Sequence, residues 1–429
     1  MFRASIGGRD AAHTVYRHAL VRLLIPLLAP ARTGRGWSPL ALALGAVLMS
    51  LDAGPTLAQR FESMLAVLDR ALPRRRRTGR TYQGFIKALT PRSQTLTATL
   101  ATHLRTRTLD VAGRDARIGR WIPIGADGSK IDAPRTVSNE ELGHAGKDKC
   151  GPQMLLLLLV HLGAMLPWTW VVGGARDSER ALLARTLDDL PMDTLLVADA
   201  GFTGFEFLSS LRARKVSFLV RVGRGVRLLR ELGYYAREGK HTVYLWPDDR
   251  RRCPPLVLRL VRVGSVYLIT DVTDPRALSA RMAGELYRRR WGLEVAFRSL
   301  KQTLERRVVR SCAAANARLE LAWAVLGLWA LMLLGARAIA SAGHGPRELS
   351  VAATLAAVRH ALHADVRERK LRGRLRRCTL EPRRRRSRKR AYRWPHKKNP
   401  APPGPPTITA ATPAQVAAAK RLAAQSAAA

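Results

Sequence analysis

The stretch Thr194-Leu195-Leu196-Val197-Ala198-Asp199-Ala200-Gly201 reads as a short apolar strand that ends on a carboxylate and turns at a glycine. The same arrangement occurs upstream, where the apolar run 121–126 gives way to Asp127-Gly128-Ser129. Around the two lie further short apolar runs, 154–162, 168–172 and 216–222, separated by turn signals. Between them, 178–190 sets Leu182, Leu183 and Leu187 at helical spacing. Strands alternating with a helix predict a mixed α/β sheet over residues 118–222.

Working outward, 223–275 holds three more strand-like runs (242–246, 256–261 and 265–269) and is expected to be a β-rich insertion. Helical periodicity resumes over 276–345, which is read as the helical completion of the core. Residues 1–110 alternate apolar helical stretches with basic connectors, notably the arginines 74–77, and are read as a helical domain. From 366 to 429 the chain turns basic and then Pro- and Ala-rich, the composition of a tail that is disordered or carries one frayed helix.

Of the 429 residues 74 are Lys or Arg and 32 Asp or Glu, a formal net charge of +42, while 47% are hydrophobic. The apolar share is enough for a real core and excludes disorder throughout. Residues 367–398 carry 17 Lys or Arg against two Glu, so without them the chain still holds +27. A body this basic repels itself unless its partner is a polyanion, because neutralised phosphates release their counterions. That points to nucleic acid and away from an acidic enzyme of small-molecule metabolism. Cys150, Cys253, Cys312 and Cys378 form no CxxC pair, which suits a reducing cytoplasm better than a zinc site or disulfide framework.

Three apolar stretches bear on membranes. The first, near residues 23–31, is interrupted by Pro26 and preceded by Asp10, unlike an export signal. The second, 151–175, has the count for a span but breaks at Gly163 and Pro167, which suits a hairpin of buried strands. The third, 321–336, is short for a span and reads as a buried helix. No membrane partner is expected.

The chemistry concentrates in Tyr287-Arg288-Arg289-Arg290-Trp291-Gly292-Leu293-Glu294-Val295-Ala296-Phe297-Arg298-Ser299-Leu300-Lys301. On an α-helix turning about 100° per residue, Arg290, Glu294, Arg298 and Lys301 all fall within about 60° of Tyr287. A salt-bridged surface face would explain such a stripe, but would alternate signs, and here one Glu stands among cations. An Asp at a strand end is ordinarily a turn former or helix cap. Two of them at strand C-termini in one sheet, where open α/β sheets gather their sites, suggest more. Three carboxylates suit phosphodiester chemistry: two Mg²⁺ ions, with Mn²⁺ as a substitute, can hold the attacking and leaving oxygens of an in-line displacement. Asp127 would bridge the ions, with Asp199 and Glu294 completing one site each.

Tyr287, Arg290, Glu294 and Lys301 carry the Y-(2)-R-(3)-E-(6)-K spacing, and with Asp127-Gly128-Ser129 and Ala198-Asp199-Ala200-Gly201-Phe202 the chain resembles the insertion-sequence-four family of bacterial DDE transposases over about residues 118–335. The resemblance implies a ribonuclease H-like core with a β-rich insertion between the second Asp and the Glu. It implies Asp127, Asp199 and Glu294 as catalytic metal ligands, and Tyr287, Arg290 and Lys301 as contacts to DNA phosphates. Arg298 joins the DNA contacts on helical geometry alone, and Trp291 is expected to pack in the core. The partners so implied are double-stranded DNA, both transposon ends and target, and a second copy of the chain when two ends are synapsed, in a nucleoid-associated cytoplasmic setting. Residues 1–110 are expected to bind the DNA ends and the basic tail to clamp DNA. The competing functions are a ribonuclease H-like nuclease without strand transfer, a DNA-binding protein that has lost catalysis, and a basic RNA-associated protein.

Overall fold

The computed structural model describes residues 17–34, 36–72, 79–144, 151–380 and 404–428. The arginines 74–77, Cys150 and the stretch 381–403, which holds much of the basic tail, lie outside the described residues. Four helices come first: α1 (Ala19–Leu28), α2 (Pro39–Leu51), α3 (Leu57–Ala71) and α4 (Tyr82–Ala112). Side chains at their starts fix them: Ser38, Thr56 and Thr81 each accept a backbone N–H from the first turn of α2, α3 and α4.

The sheet begins with β1 (Ile122–Asp132), β2 (Gln153–His161) and β3 (Leu166–Gly174), an antiparallel meander. After α5 (Glu179–Ala184) comes β4 (Thr194–Ala198), parallel to β1. After α6 (Phe205–Ala213) comes β5 (Ser217–Val222), parallel to β4. The order β3-β2-β1-β4-β5, with only the meander antiparallel, is a ribonuclease H-like core. β2 is apolar without alternation because both of its faces are covered. Met154, Leu156, Leu158 and Val160 join the cluster under the long helix α9 (Ala314–Ala340), and Leu155, Leu157 and Leu159 join the one under α5 and α6.

The insertion adds β6 (Arg227–Arg230), β7 (Thr242–Leu245), β8 (Leu256–Val263) and β9 (Val266–Thr270). They extend the same sheet, because β9 pairs antiparallel with β5. The chain then forms α7 (Ala280–Arg289), α8 (Trp291–Arg298), a π-helical turn (Ser299–Thr303), α9, α10 (Val351–His363) and α11 (Glu368–Arg376).

Two expectations are corrected. The helices of 1–110 are not a separate unit: buried residues of α1 to α4 share one continuous apolar cluster with α8, α9 and α10. Trp323 and Trp329 of α9 donate their ring N–H groups to Ser93 and Thr108 of α4, at 2.7 and 3.0 Å. A helix as apolar as α9 needs cover on every side, and α2 and α4 supply it. By length and composition α9 is also sufficient to cross a membrane, but 83% of its most apolar window is buried inside the fold.

The tail, too, departs from disorder where it is described. β10 (Thr407–Ala410) pairs parallel with β6, making a ten-stranded sheet, and α12 (Pro413–Ala428) buries Ala419 against Leu232, Tyr244 and Trp246. The physical reason is that β6 offers an open edge and the small alanines of α12 let the helix lie close on an aromatic patch. α11, in the basic stretch, is anchored by buried Leu371 and Leu375 at helical spacing.

Candidate active site

β1 and β4 pair from Ile122 opposite Thr194 to Gly125 opposite Val197. Carried two residues further, the same parallel register sets Asp127 level with Asp199. Asp127 pairs across β2 with Leu158, whose cluster includes Leu293, Ala296 and Phe297 of α8, so its side chain faces that helix. Asp127 accepts the Gly128 N–H at 3.0 Å and Asp199 that of Ala200 at 2.8 Å. Asp199 thus caps the turn that follows β4, whereas Asp127, expected at a strand end, stands in the middle of β1, because pairing with β2 carries that strand on to Asp132; each carboxylate keeps an oxygen for something else.

Arg290 takes those oxygens. Its guanidinium lies between the two aspartates, 3.4 Å from Asp127 Oδ2 and 3.5 Å from Asp199 Oδ2. It is buried, with Nε lacking any partner among the described residues. The Tyr287 hydroxyl donates to Asp199 Oδ1 at 3.2 Å, its ring lies 5.5 Å from the Arg290 guanidinium, and Arg221 of β5 comes within 3.9 Å of Asp199. The charges feel one another. Burial raises the Asp127 pKa, Arg290 and the Gly128 N–H pull it back, and the charges of Asp199 and Glu294 push it up again. For Arg290, burial opposes the charge but Tyr287, Asp199 and Asp127 outweigh it and hold the pKa above its ordinary value.

The single-helix stripe expected for 287–301 does not hold. The helix is interrupted at Arg290, and the π-helical turn after α8 re-aims Lys301. Lys301 donates to Ser129 Oγ at 2.7 Å, and burial lowers its pKa. Arg298 points to solvent, and among the described residues neither it nor Glu294 has a hydrogen-bond or ion-pair partner. Trp291, expected in the core, is 60% exposed because it begins α8 on the side away from Leu293 and Ala296. The structure thus brings together Asp127, Asp199, Tyr287 and Arg290, with Glu294 near enough to act on the charge of Asp127, and leaves Arg298 apart.

Sequence reasoning missed Arg221 and Ser129. Ser129 stood in the Asp-Gly-Ser motif. Arg221 gave no signal, since only the β4–β5 pairing carries it to Asp199.

Among the described residues no three His, Cys, Asp or Glu side chains are gathered closely enough to hold a metal ion as they stand. The chemistry of the donors nevertheless fits a divalent cation. Asp127 and Asp199 present hard carboxylate oxygens to one point, and the guanidinium of Arg290 is the positive charge that stands there.

Over residues 124–332 the chain matches the family model of the transposase DDE domain. It is 27% identical over 201 residues to the transposase InsG for insertion sequence element IS4 of Escherichia coli (strain K12), an alignment covering 43% of this chain. That alignment spans 45% of the relative's own length, less than half. Among solved structures, the cryo-EM structure of a piggyBac transposase synaptic complex with hairpin DNA aligns over 88% of this chain and 85% of that one. Its TM-score is 0.41 at 13% identity, too low to bear on this chain.

Proposed function

We propose that the chain, which matches the transposase DDE domain model over residues 124–332 and is similar to the IS4 transposase InsG, is a DNA transposase that hydrolyses the strand at transposon ends and transfers it into target DNA. The observation that carries this reading is the parallel register that sets Asp127 level with Asp199 beneath α8, the helix bearing Glu294. Asp127, Asp199 and Glu294 are the residues that would hold divalent metal, with two Mg²⁺ ions, replaceable by Mn²⁺, as the finer reading. When bound, such ions stabilise charge on the attacking and leaving oxygens of a phosphodiester.

The remaining work falls to the chain's own groups. Arg290 balances the aspartate pair in the free protein and exchanges those partners for a phosphate oxygen, where its fixed fork suits bidentate contact. Tyr287 orients Asp199 through its hydroxyl and adds a donor near the scissile strand. Lys301, steered by Ser129, and exposed Arg298 bind flanking phosphates, contacts that position a strand without reading its bases. Double-stranded DNA is the partner, with a homodimer forming on two synapsed ends, in the cytoplasm at the nucleoid. The N-terminal helices are proposed to contribute to end binding and the basic segment after residue 380 to nonspecific affinity.

The test is incubation of the protein with DNA carrying its own flanking repeats, with Mg²⁺ and then with chelator. Metal-dependent nicking followed by joining to a target supports the reading, and cleaved ends that are never joined favour a nuclease. No cleavage with any divalent metal, with end binding intact, rejects catalysis.

A further inference from the structure

Glu179, in the first turn of α5, comes from the face of the sheet opposite α8. Alternate residues of β1 divide between the faces: Ile122, Ile124 and Ala126 lie in the cluster under α5, while Asp127 faces α8. Gly128 therefore points toward α5, and its missing side chain is what Glu179 occupies. A Cβ at Gly128 would stand 2.3 Å from Glu179 Oε1 and 2.7 Å from its Cδ and Cγ. A Cβ at Gly201 would lie 3.6 Å from Glu179 Oε2. The carboxylate thus sits between the glycine that follows Asp127 and the glycine two residues beyond Asp199, in the gap where β1 outruns β4.

An acid in the first turn of a helix is ordinarily explained by the helix dipole. That explanation does not account for this placement. Among the described residues Glu179 has no hydrogen-bond or ion-pair partner, although the chain carries a large excess of cations. Its neighbour Arg180 donates instead to the Thr203 carbonyl at 3.0 Å. The charges that press on Glu179 are those of Asp127 and Asp199, so it adds repulsion to a pair already held apart by one guanidinium. Glu179 is only partly buried, so water meets part of its charge, and Asp127 and Asp199 press on the rest.

We propose that Glu179 is a fourth carboxylate of the active site, acting on the divalent cation of Asp127 and Asp199 from the far face of β1 through the opening left by Gly128. The proposal rests on the metal-binding reading of those aspartates. It also gives Gly128 a chemical reason, since alanine there would push the carboxylate away.

The test is Mn²⁺ binding to the full-length protein, followed by calorimetry, for the wild type, Glu179→Gln and Asp127→Asn, with the metal-free melting temperature of each. The expected result is a loss of Mn²⁺ affinity of roughly tenfold or more in Glu179→Gln, the scale of supporting groups at metal sites. Its metal-free melting temperature should be unchanged or raised, because a repelling charge has gone. Unchanged Mn²⁺ affinity in Glu179→Gln, while Asp127→Asn loses it, overturns the role of Glu179 and leaves the aspartate site standing. Unchanged affinity in both variants overturns the site itself. A lowered melting temperature with unchanged affinity makes Glu179 a structural residue and equally overturns the proposal.

Discussion

Arg306 offers the sharpest test of how the segment bearing Lys301 is held. It lies five residues beyond Lys301 and is 1% exposed. Its Nη2 donates to the carbonyls of Ser50 and Asp52 at 2.8 and 2.9 Å, and Nη1 to that of Leu304 at 2.8 Å. Ser50 and Asp52 lie at the end of α2, where carbonyls lack intrahelical partners and the helix dipole favours a cation. Burial pushes the Arg306 pKa down to about 9, still far enough above neutral for the charge to persist. Arg306→Met keeps much of the volume and removes every donor. The two hydrogen bonds to the end of α2, leaving aside the local one to Leu304, contribute about 1.5–3 kcal/mol each, a gross loss of roughly 3–6 kcal/mol. Relief from burying a cation returns part of that, so a net destabilisation of about 3 kcal/mol is expected, near the lower end for breaking a buried charged contact. Urea unfolding followed by tryptophan fluorescence measures it, and hydrogen exchange over 299–312 should quicken together with α2. A loss below about 1 kcal/mol, or protection lost in the loop with α2 unaffected, would show that Arg306 is not what ties the segment bearing Lys301 to the N-terminal helices.

Asp127→Asn, Asp199→Asn and Glu294→Gln should each abolish end cleavage while leaving end binding nearly intact, and full activity in any of them rejects the carboxylate assignment. Lys301→Ala should weaken binding to the cleaved end and reduce the salt slope by about 1; a slope equal to wild type removes Lys301 from the phosphate contacts. Burial, reinforced by neighbouring carboxylates, raises the pKa of Asp127 and of Glu179, so the folded state keeps protons that the unfolded chain releases. That stability is present below the ordinary carboxylate pKa of about 4 and is lost as pH rises through the raised folded values. Metal-free protein should therefore weaken over that window in urea titrations at stepped pH, and Asp127→Asn should flatten the trend. Trp291→Ala should change stability by no more than about 0.5 kcal/mol because the ring is largely exposed. A larger loss on thermal melting means that the ring packs after all.

The sequence by itself determined the α/β core, the hairpin of β2 and β3, and Asp199 at the end of β4, whereas Asp127, expected at a strand end, lies inside β1. Apolar runs bounded by Gly, Pro and Asp are local signals, and strand and turn chemistry acts over a few residues. It also picked out Tyr287, Arg290, Glu294 and Lys301, since residue type and spacing survive without coordinates. What it misjudged depends on contacts between distant segments. The independence of residues 1–110 failed because α9 is apolar all round and draws its cover from α2 and α4. The disordered tail gave way where β10 found the open edge of β6. The even stripe over 287–301 broke because two aspartates brought level by the β1–β4 register attract Arg290, while the π-helical turn carries Lys301 to Ser129. Glu179 and Arg221 became neighbours of the aspartates only through strand pairing and helix placement. Electrostatic energy depends on distance in space, and only the tertiary structure decides which charges come within reach.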